Sequence, residues 1–217
     1  MFHSITTLLF DIDGTLLDTS EFIIQAYEHT FKAHGLPAPS RDVIRKSIGK
    51  PLTECYQSFV PEQKKDAQVF AETHRQFQLN NLQLSQPFPH THATLTQLRD
   101  AGFKMSACTT RSKTTALDTL RNAGLLEYFE VVLCLEDTSL LKPHPEPLLK
   151  ALAHMHKKPT HAVMIGDSHV DVVAGKNAGT KTIRALYGVN QEHLHNPEPD
   201  ASIHDISELV ALLPARI

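Results

Sequence analysis

From Phe103 to Leu186 the chain repeats one pattern, a short apolar run followed by an amphipathic segment, and few folds accommodate it. The runs Phe103–Thr109, Val131–Leu135, Ala162–Ile165 and Thr182–Leu186 read as strands. Between them, Lys113–Ala123, Glu146–His156 and His169–Asn177 read as helices, and Thr91–Ala101, closed by Gly102, reads as a helix ahead of the first strand. Near the N-terminus, Ile5–Phe10 is a further apolar run. Strands that alternate with helices are joined by right-handed crossovers. The expected fold class is therefore α/β, a doubly wound parallel sheet with helices on both faces.

The segment after Asp18 breaks the pattern. Phe22, Ile23, Ala26, Tyr27 and Phe31 recur at helical spacing behind Ser20, a capping residue, and Gly35 ends the helix. Ser40 opens a second short helix toward Gly49, Pro51 a third, and Pro61 a long fourth reaching Asn80. No strand signal interrupts them, and the proline-bearing stretch Leu84 to Pro89 ends the block. The predicted organisation is a core domain over residues 1–17 and 86–217 with an α-helical cap domain inserted at 18–85.

Chemistry-bearing residues fall where the strands end. Asp11-Ile12-Asp13-Gly14-Thr15 follows the first run, and Thr109-Thr110-Arg111 follows the second. Lys142 precedes Pro143-His144-Pro145-Glu146-Pro147, and Gly166-Asp167-Ser168-His169-Val170-Asp171 follows Ile165. Ligands bind at the carboxyl ends of parallel strands, and an aspartate delivered there can attack phosphorus while its second neighbour moves the proton. Asp11, Asp13 and Asp167 would repel one another without a hard cation such as Mg²⁺ among them. Thr109, Thr110 and backbone amides are candidates to hold phosphoryl oxygens, and Lys142 offsets charge on the nucleophile and the transferring group. Asp171, one helical turn after Asp167, and Ser168 are placed to orient the metal, its water or Lys142. Lys50 and Arg111 are candidates to meet a distal anion of the substrate, with a surface role as the alternative.

In these four motifs the chain resembles the haloacid dehalogenase-like hydrolase superfamily, in the branch with a helical cap inserted after the first motif. The resemblance implies that Asp11 is the nucleophile and forms an aspartyl-phosphate, and that Asp13 protonates the leaving group and then activates water. It also implies that Asp11, the Asp13 carbonyl and Asp167 hold Mg²⁺. Dehalogenase members lack an acid at the position of Asp13, so phosphoryl transfer is expected. Sugar-phosphate mutases of this shape carry a serine-alanine pair where this chain has Thr109-Thr110, which favours hydrolysis. The loop Ser47 to Leu52 is similar to the specificity loop of phosphoglycolate phosphatase-like enzymes. Thr109-Thr110, Gly166 to His169 and Ala174 to Gly179 resemble an inorganic-pyrophosphatase branch of the same group. Phosphoglycolate phosphatase-like hydrolysis is the first expectation and pyrophosphatase the alternative; sugar-phosphate chemistry and a non-catalytic binding protein come behind them.

Composition excludes other classes. A net charge of −3 and a pI near 6.5 leave no electrostatic footprint for nucleic acid or an anionic membrane. No apolar run spans a bilayer and no leader pattern opens the chain, so cytoplasmic residence is expected, while the resemblance and its helical cap imply a small phosphorylated partner. Cys55, Cys108 and Cys134 read as reduced core thiols. The 14 histidines include the pairs His90/His92, His154/His156 and His193/His195, which read as solvated or packing residues, while the place of His169 in the fourth motif puts it near the metal, with tuning of the site or ligation both open.

Overall fold

The chain enters its main sheet through β1, Thr7–Phe10, whose four residues are all buried. The structure, a computed structural model, describes residues 2–188 and 197–213, so the His193/His195 pair lies outside the described residues. A two-residue strand β2 (Leu17–Asp18) leads into the helical block: α1 (Ser20–Ala33), α2 (Arg41–Arg45), α3 (Leu52–Phe59) and α4 (Ala67–Asn80). The chain returns through β3 (Gln86–Pro87), which pairs antiparallel with β2, Leu17 opposite Pro87 and Asp18 opposite Gln86. The linkers into and out of the helical block therefore run side by side.

The alternating region follows as α5 (Thr91–Asp100), β4 (Lys104–Cys108), α6 (Lys113–Asn122), β5 (Val131–Leu133), α7 (Glu146–His154), β6 (Ala162–Gly166), α8 (His169–Ala178) and β7 (Lys181–Ala185). A short β8 (Ala201–Ile203) and α9 (Glu208–Leu212) complete the described chain. The main sheet has the order β5-β4-β1-β6-β7-β8, and every pairing in it is parallel. The chain winds to one side of β1 through β4 and β5, then crosses to the other through β6, β7 and β8. This reversal leaves a crevice at the carboxyl end of β1, the usual ligand site of such sheets. Phe10 pairs with Ala107 and with Ile165, so Asp11, Cys108 and Gly166 emerge at one level.

Several boundaries differ from the sequence expectation. The fourth cap helix divides into a 3₁₀ segment, Pro61–Asp66, and α4, because the segment buries no side chain and Gln63 leaves helical geometry. Thr19, not Ser20, occupies the position before α1. The strand expected to run to Leu135 stops at Leu133, where the Asp137 carboxylate accepts from the Cys134 amide at 3.0 Å and turns the chain. Strand β8 and the β2–β3 ribbon had no sequence signal, since two or three residues carry no periodicity.

The helices of the block hold a core of their own, built from Phe22, Ile24, Tyr27, Phe31, Ile44, Tyr56 and Phe70 among others. His74 of α4 sits inside it, 1% exposed, with Nδ1 3.0 Å from the Tyr56 hydroxyl and its ring in edge contact with Tyr27. Burial, followed by the charges of Arg111 and Arg75, pushes its pKa down to about 3. A histidine buried neutral is protonated in the unfolded chain first, so stability falls as pH drops below about 6.5. Urea denaturation of wild type and His74→Gln should therefore diverge: between pH 6.5 and 4.5 the wild type should lose about 2–3 kcal/mol more than the variant. Parallel pH curves would show that His74 charges freely in the fold.

Candidate active site

Asp11 follows β1 directly, and its amide donates to Ile165 O at 2.9 Å, extending the parallel ladder by one residue. Thr109 does the same at the end of β4, donating to Leu133 O at 2.9 Å. Asp167 follows β6, and its side chain is packed against Gly14. Gly14 has φ +74°, and a Cβ there would lie 2.3 Å from Asp167 Oδ2, so the turn after Asp13 accepts only glycine on both counts.

Lys142 reaches this level from the loop between β5 and α7. Its ammonium donates to Asp11 Oδ1 at 2.8 Å and to Asp171 Oδ1 at 2.6 Å, with all three side chains buried. Asp171 Oδ2 in turn accepts from the Ser168 amide at 3.1 Å and from the Ser168 hydroxyl, which closes the capping box of α8. Both Asp171 oxygens are thus engaged, and the residue fixes Lys142. Burial works against the charge on Lys142, but Asp11 and Asp171 outweigh it and hold the ammonium above its ordinary pKa. Burial pushes the Asp11 carboxyl well above the usual carboxylate range; Lys142 pulls it back, and Asp171, Asp13 and Asp167 push it further up.

Asp11, Asp167 and Asp171 each present a carboxylate oxygen within 4.8 Å of the others, the one such cluster among the described residues. Buried, crowded carboxylates of this kind are an all-oxygen donor set suited to a hard divalent cation. With Asp171 committed to Lys142 and Ser168, Asp11 and Asp167 are the side chains that fit it.

Asp13 faces the other way. Arg111 grips it with two parallel bonds, Nε to Oδ2 at 2.8 Å and Nη2 to Oδ1 at 2.7 Å, and both residues are buried. Burial acts to raise the Asp13 carboxyl, but the guanidinium outweighs it and holds the group below its ordinary value. Arg111 is itself positioned by its amide on Thr109 Oγ1, its carbonyl accepting from the Leu135 amide, and Nη1 on Thr119 Oγ1 at 3.0 Å. Sequence alone allows Arg111 a substrate contact or a surface role; the structure buries it against Asp13.

Beyond Asp13, toward the helical block, lies a cavity of about 70 Å³, room for a few water molecules or one phosphate-sized group. Arg111, Ser112 and Thr115 line it from the sheet side, and Lys50, His74, Arg75 and Gln78 from the helices. Lys50 is exposed. Thr110 turns its hydroxyl to Gly49 O at 3.1 Å, a contact between sheet domain and helical block. His169 is exposed at the first position of α8; His90 contacts Asp205 at 3.1 Å, and His92 packs on Tyr128. All three cysteines are buried and free. His74 and Gln78 had a signal in the sequence that went unread: they continue the stripe of Ala67, Phe70 and Ala71 along α4, polar residues at apolar spacing.

The model of the haloacid dehalogenase-like hydrolase family matches residues 8–185, most of the chain and all four motifs. The chain belongs to that family. Curated relatives in it include a protein named pyrophosphatase PpaX from Anoxybacillus flavithermus, 35% identical over 212 residues, covering 97% of both chains. Another of the same name from Halalkalibacterium halodurans is 32% identical over 210 residues, covering 96% of this chain and 97% of its own. Among solved structures, a haloacid dehalogenase-like hydrolase from Streptococcus pneumoniae superposes with a TM-score of 0.87 at 27% identity, covering 97% of this chain and 99% of the other. With its complete motif set, this family member is an enzyme of the phosphatase branch.

Two substitutions probe the geometry. Lys142→Met should cost about 3–5 kcal/mol at pH 7.5 in chelator, because it leaves buried carboxylates unpaired. The deficit should shrink toward pH 5.5, because without the cation that lowers its pKa Asp11 takes up a proton in the folded variant more readily than in the wild type. Urea titrations at both pH values check the size and the sign. Gly14→Ala should displace Asp167, and a crystal structure of the variant with Asp167 unmoved would contradict the packing argument.

Proposed function

We propose that this protein is a Mg²⁺-dependent phosphohydrolase of a small phosphorylated compound, working through an aspartyl-phosphate on Asp11. The observation that carries this reading is the tie between Asp11 and Lys142 beside Asp167, with Asp13 at the border between that cluster and the cavity. Asp11, the Asp13 carbonyl and Asp167 are the groups that would hold Mg²⁺, which when bound screens the charge between nucleophile and phosphoryl oxygens. Lys142 favours the ionised form of Asp11 against its burial, orients it for attack and faces the same oxygens. Thr109 supports the phosphoryl group from the end of β4; Asp171 and Ser168 act by holding Lys142. Asp13, whose pKa Arg111 lowers at rest, first takes up a proton from solvent; it gives that proton to the leaving oxygen in the first half-reaction and takes one from the attacking water in the second.

Inorganic pyrophosphate is our first candidate substrate. Relatives carrying that activity in their names match across nearly the whole chain, and the cavity beyond Asp13 brings cationic side chains to the leaving-group side. This ranking places pyrophosphate ahead of phosphoglycolate, reversing the order expected from the motifs. The helical block over the cavity suits a small compound, because closing it excludes water from the phosphoryl site.

Phosphate release from pyrophosphate, 2-phosphoglycolate, sugar phosphates and nucleotides, with Mg²⁺ and with chelator, tests the reading. Turnover confined to the Mg²⁺ arm and strongest with pyrophosphate is expected; release undiminished by chelator would refute it. Asp11→Asn should remove turnover while the far-ultraviolet spectrum stays that of the wild type. Asp13→Asn should slow poor leaving groups by about 10²–10⁴-fold and good ones much less. A uniform loss across leaving groups would remove Asp13 from the acid role.

A further inference from the structure

Asp13 is where the phosphoryl site and the cavity meet, and both of its oxygens are taken by Arg111. We propose that Arg111 is a specificity residue with two alternative partners: it holds the Asp13 carboxylate in the resting enzyme and exchanges it for a second anionic group on the substrate. The inference rests on the phosphohydrolase reading and deepens it, by requiring an anion on the far side of the scissile oxygen.

Three observations converge on this exchange. A carboxylate held by two in-plane bonds from a guanidinium has both oxygens turned to that partner, so in the resting arrangement Asp13 does not face a leaving oxygen. Arg111 lines the cavity together with Lys50, Arg75 and Gln78, and Asp13 is the only acidic residue in that lining among the described residues. An anionic group entering there meets donors on several sides and competes with Asp13 at Arg111 and, at Arg75, with the exposed Glu72 3.2 Å away. Finally, the guanidinium keeps two supports that do not depend on Asp13. Nη1 donates to the neutral Thr119 hydroxyl at 3.0 Å, and Cζ lies 5.3 Å from the centre of the Phe22 ring. Arg111 can therefore change its anionic partner without losing its place.

The energetics select the substrate class. A phosphoryl or carboxylate group offers the fork a bidentate partner of the kind it gives up, so the exchange conserves two charge-assisted bonds. An uncharged leaving group offers none. Asp13 loses its partner with either substrate and regains stability by taking up a proton, but with an uncharged leaving group the buried guanidinium is left bare as well, which strongly disfavours the productive arrangement. Discrimination between a distal anion and an uncharged group therefore arises at Arg111.

Steady-state kinetics of wild type, Arg111→Lys and Arg111→Met on pyrophosphate, 2-phosphoglycolate and ethyl phosphate, all with Mg²⁺, test this. The wild type should favour an anion-bearing substrate over ethyl phosphate by about 100-fold or more in kcat/KM. In Arg111→Met that ratio should fall by at least about 30-fold, with KM for the anionic substrate raised, and Arg111→Lys should recover part of it. A ratio measured within one preparation does not depend on the fraction folded, so a poorly folding variant still reports. Whichever anionic substrate loses more identifies the distal group as phosphoryl or carboxylate. An unchanged ratio in Arg111→Met overturns the exchange while leaving the phosphohydrolase reading intact; a wild type that hydrolyses none of the three overturns both. As a second measure on the wild type, methylenediphosphonate should bind at least about 10-fold more tightly than methylphosphonate in chelator, and equal affinities would also overturn it.

Discussion

The Lys142 ammonium sits between two buried carboxylates, and the arrangement at the sheet's carboxyl edge depends on it. Four aspartates converge there from β1, the turn after it, β6 and α8. In a buried volume such a group would protonate or push apart if left alone. Lys142 ties Asp11, at the end of the central strand, to Asp171, on the helix that follows β6. Because the lysine itself arrives from beyond β5, one cation links segments from both sides of the topological reversal. Removing a partner from a buried pair of this kind costs several times what an exposed ion pair contributes, so the site and the sheet edge stand or fall together.

The second cation divides the labour. Lys142 pairs with Asp11 and Arg111 with Asp13; each carboxylate has its own cation from a different loop. The two aspartates are two residues apart in sequence, yet their environments push their pKa values in opposite directions. At rest these directions run opposite to the roles proposed for the pair, a charged nucleophile and a protonated acid, so a cation beside Asp11 and the release of Asp13 from Arg111 are what each role requires. Gly14 makes the separation of the two geometrically possible, since the turn that sends Asp13 away from Asp11 leaves no room for a side chain beside Asp167.

Much of this was legible in the sequence because it is carried by long or strongly patterned elements. Alternating strands and helices forced the parallel sheet, and four acidic or basic motifs at strand ends forced their convergence. Helical spacing from Asp167 places Asp171 where it can orient the metal, its water or Lys142, and the fold puts it on Lys142. What escaped reading depends on contacts between distant segments. Arg111 looks like any arginine before a helix; only the fold places it on Asp13, 98 residues away. Thr110 shares a dipeptide with Thr109, but strand direction sends its hydroxyl to Gly49 of the helical block. The split at Pro61–Asp66 was hidden because a polar stretch after proline matches a helix start by local rules, and only the absence of a buried face reveals that nothing holds it.

The β2–β3 ribbon has an architectural consequence. The chain leaves the sheet domain at Leu17–Asp18 and comes back at Gln86–Pro87, and these residues are hydrogen-bonded partners. From the sheet's point of view, the whole helical excursion begins and ends at one spot, with ends no farther apart than adjacent strands. A turn of two to five residues spans such a gap. The helical block is thus a detachable module in the covalent sense: a different lid, larger or smaller, can be spliced onto the same two strands without moving any strand of the sheet that carries the aspartates.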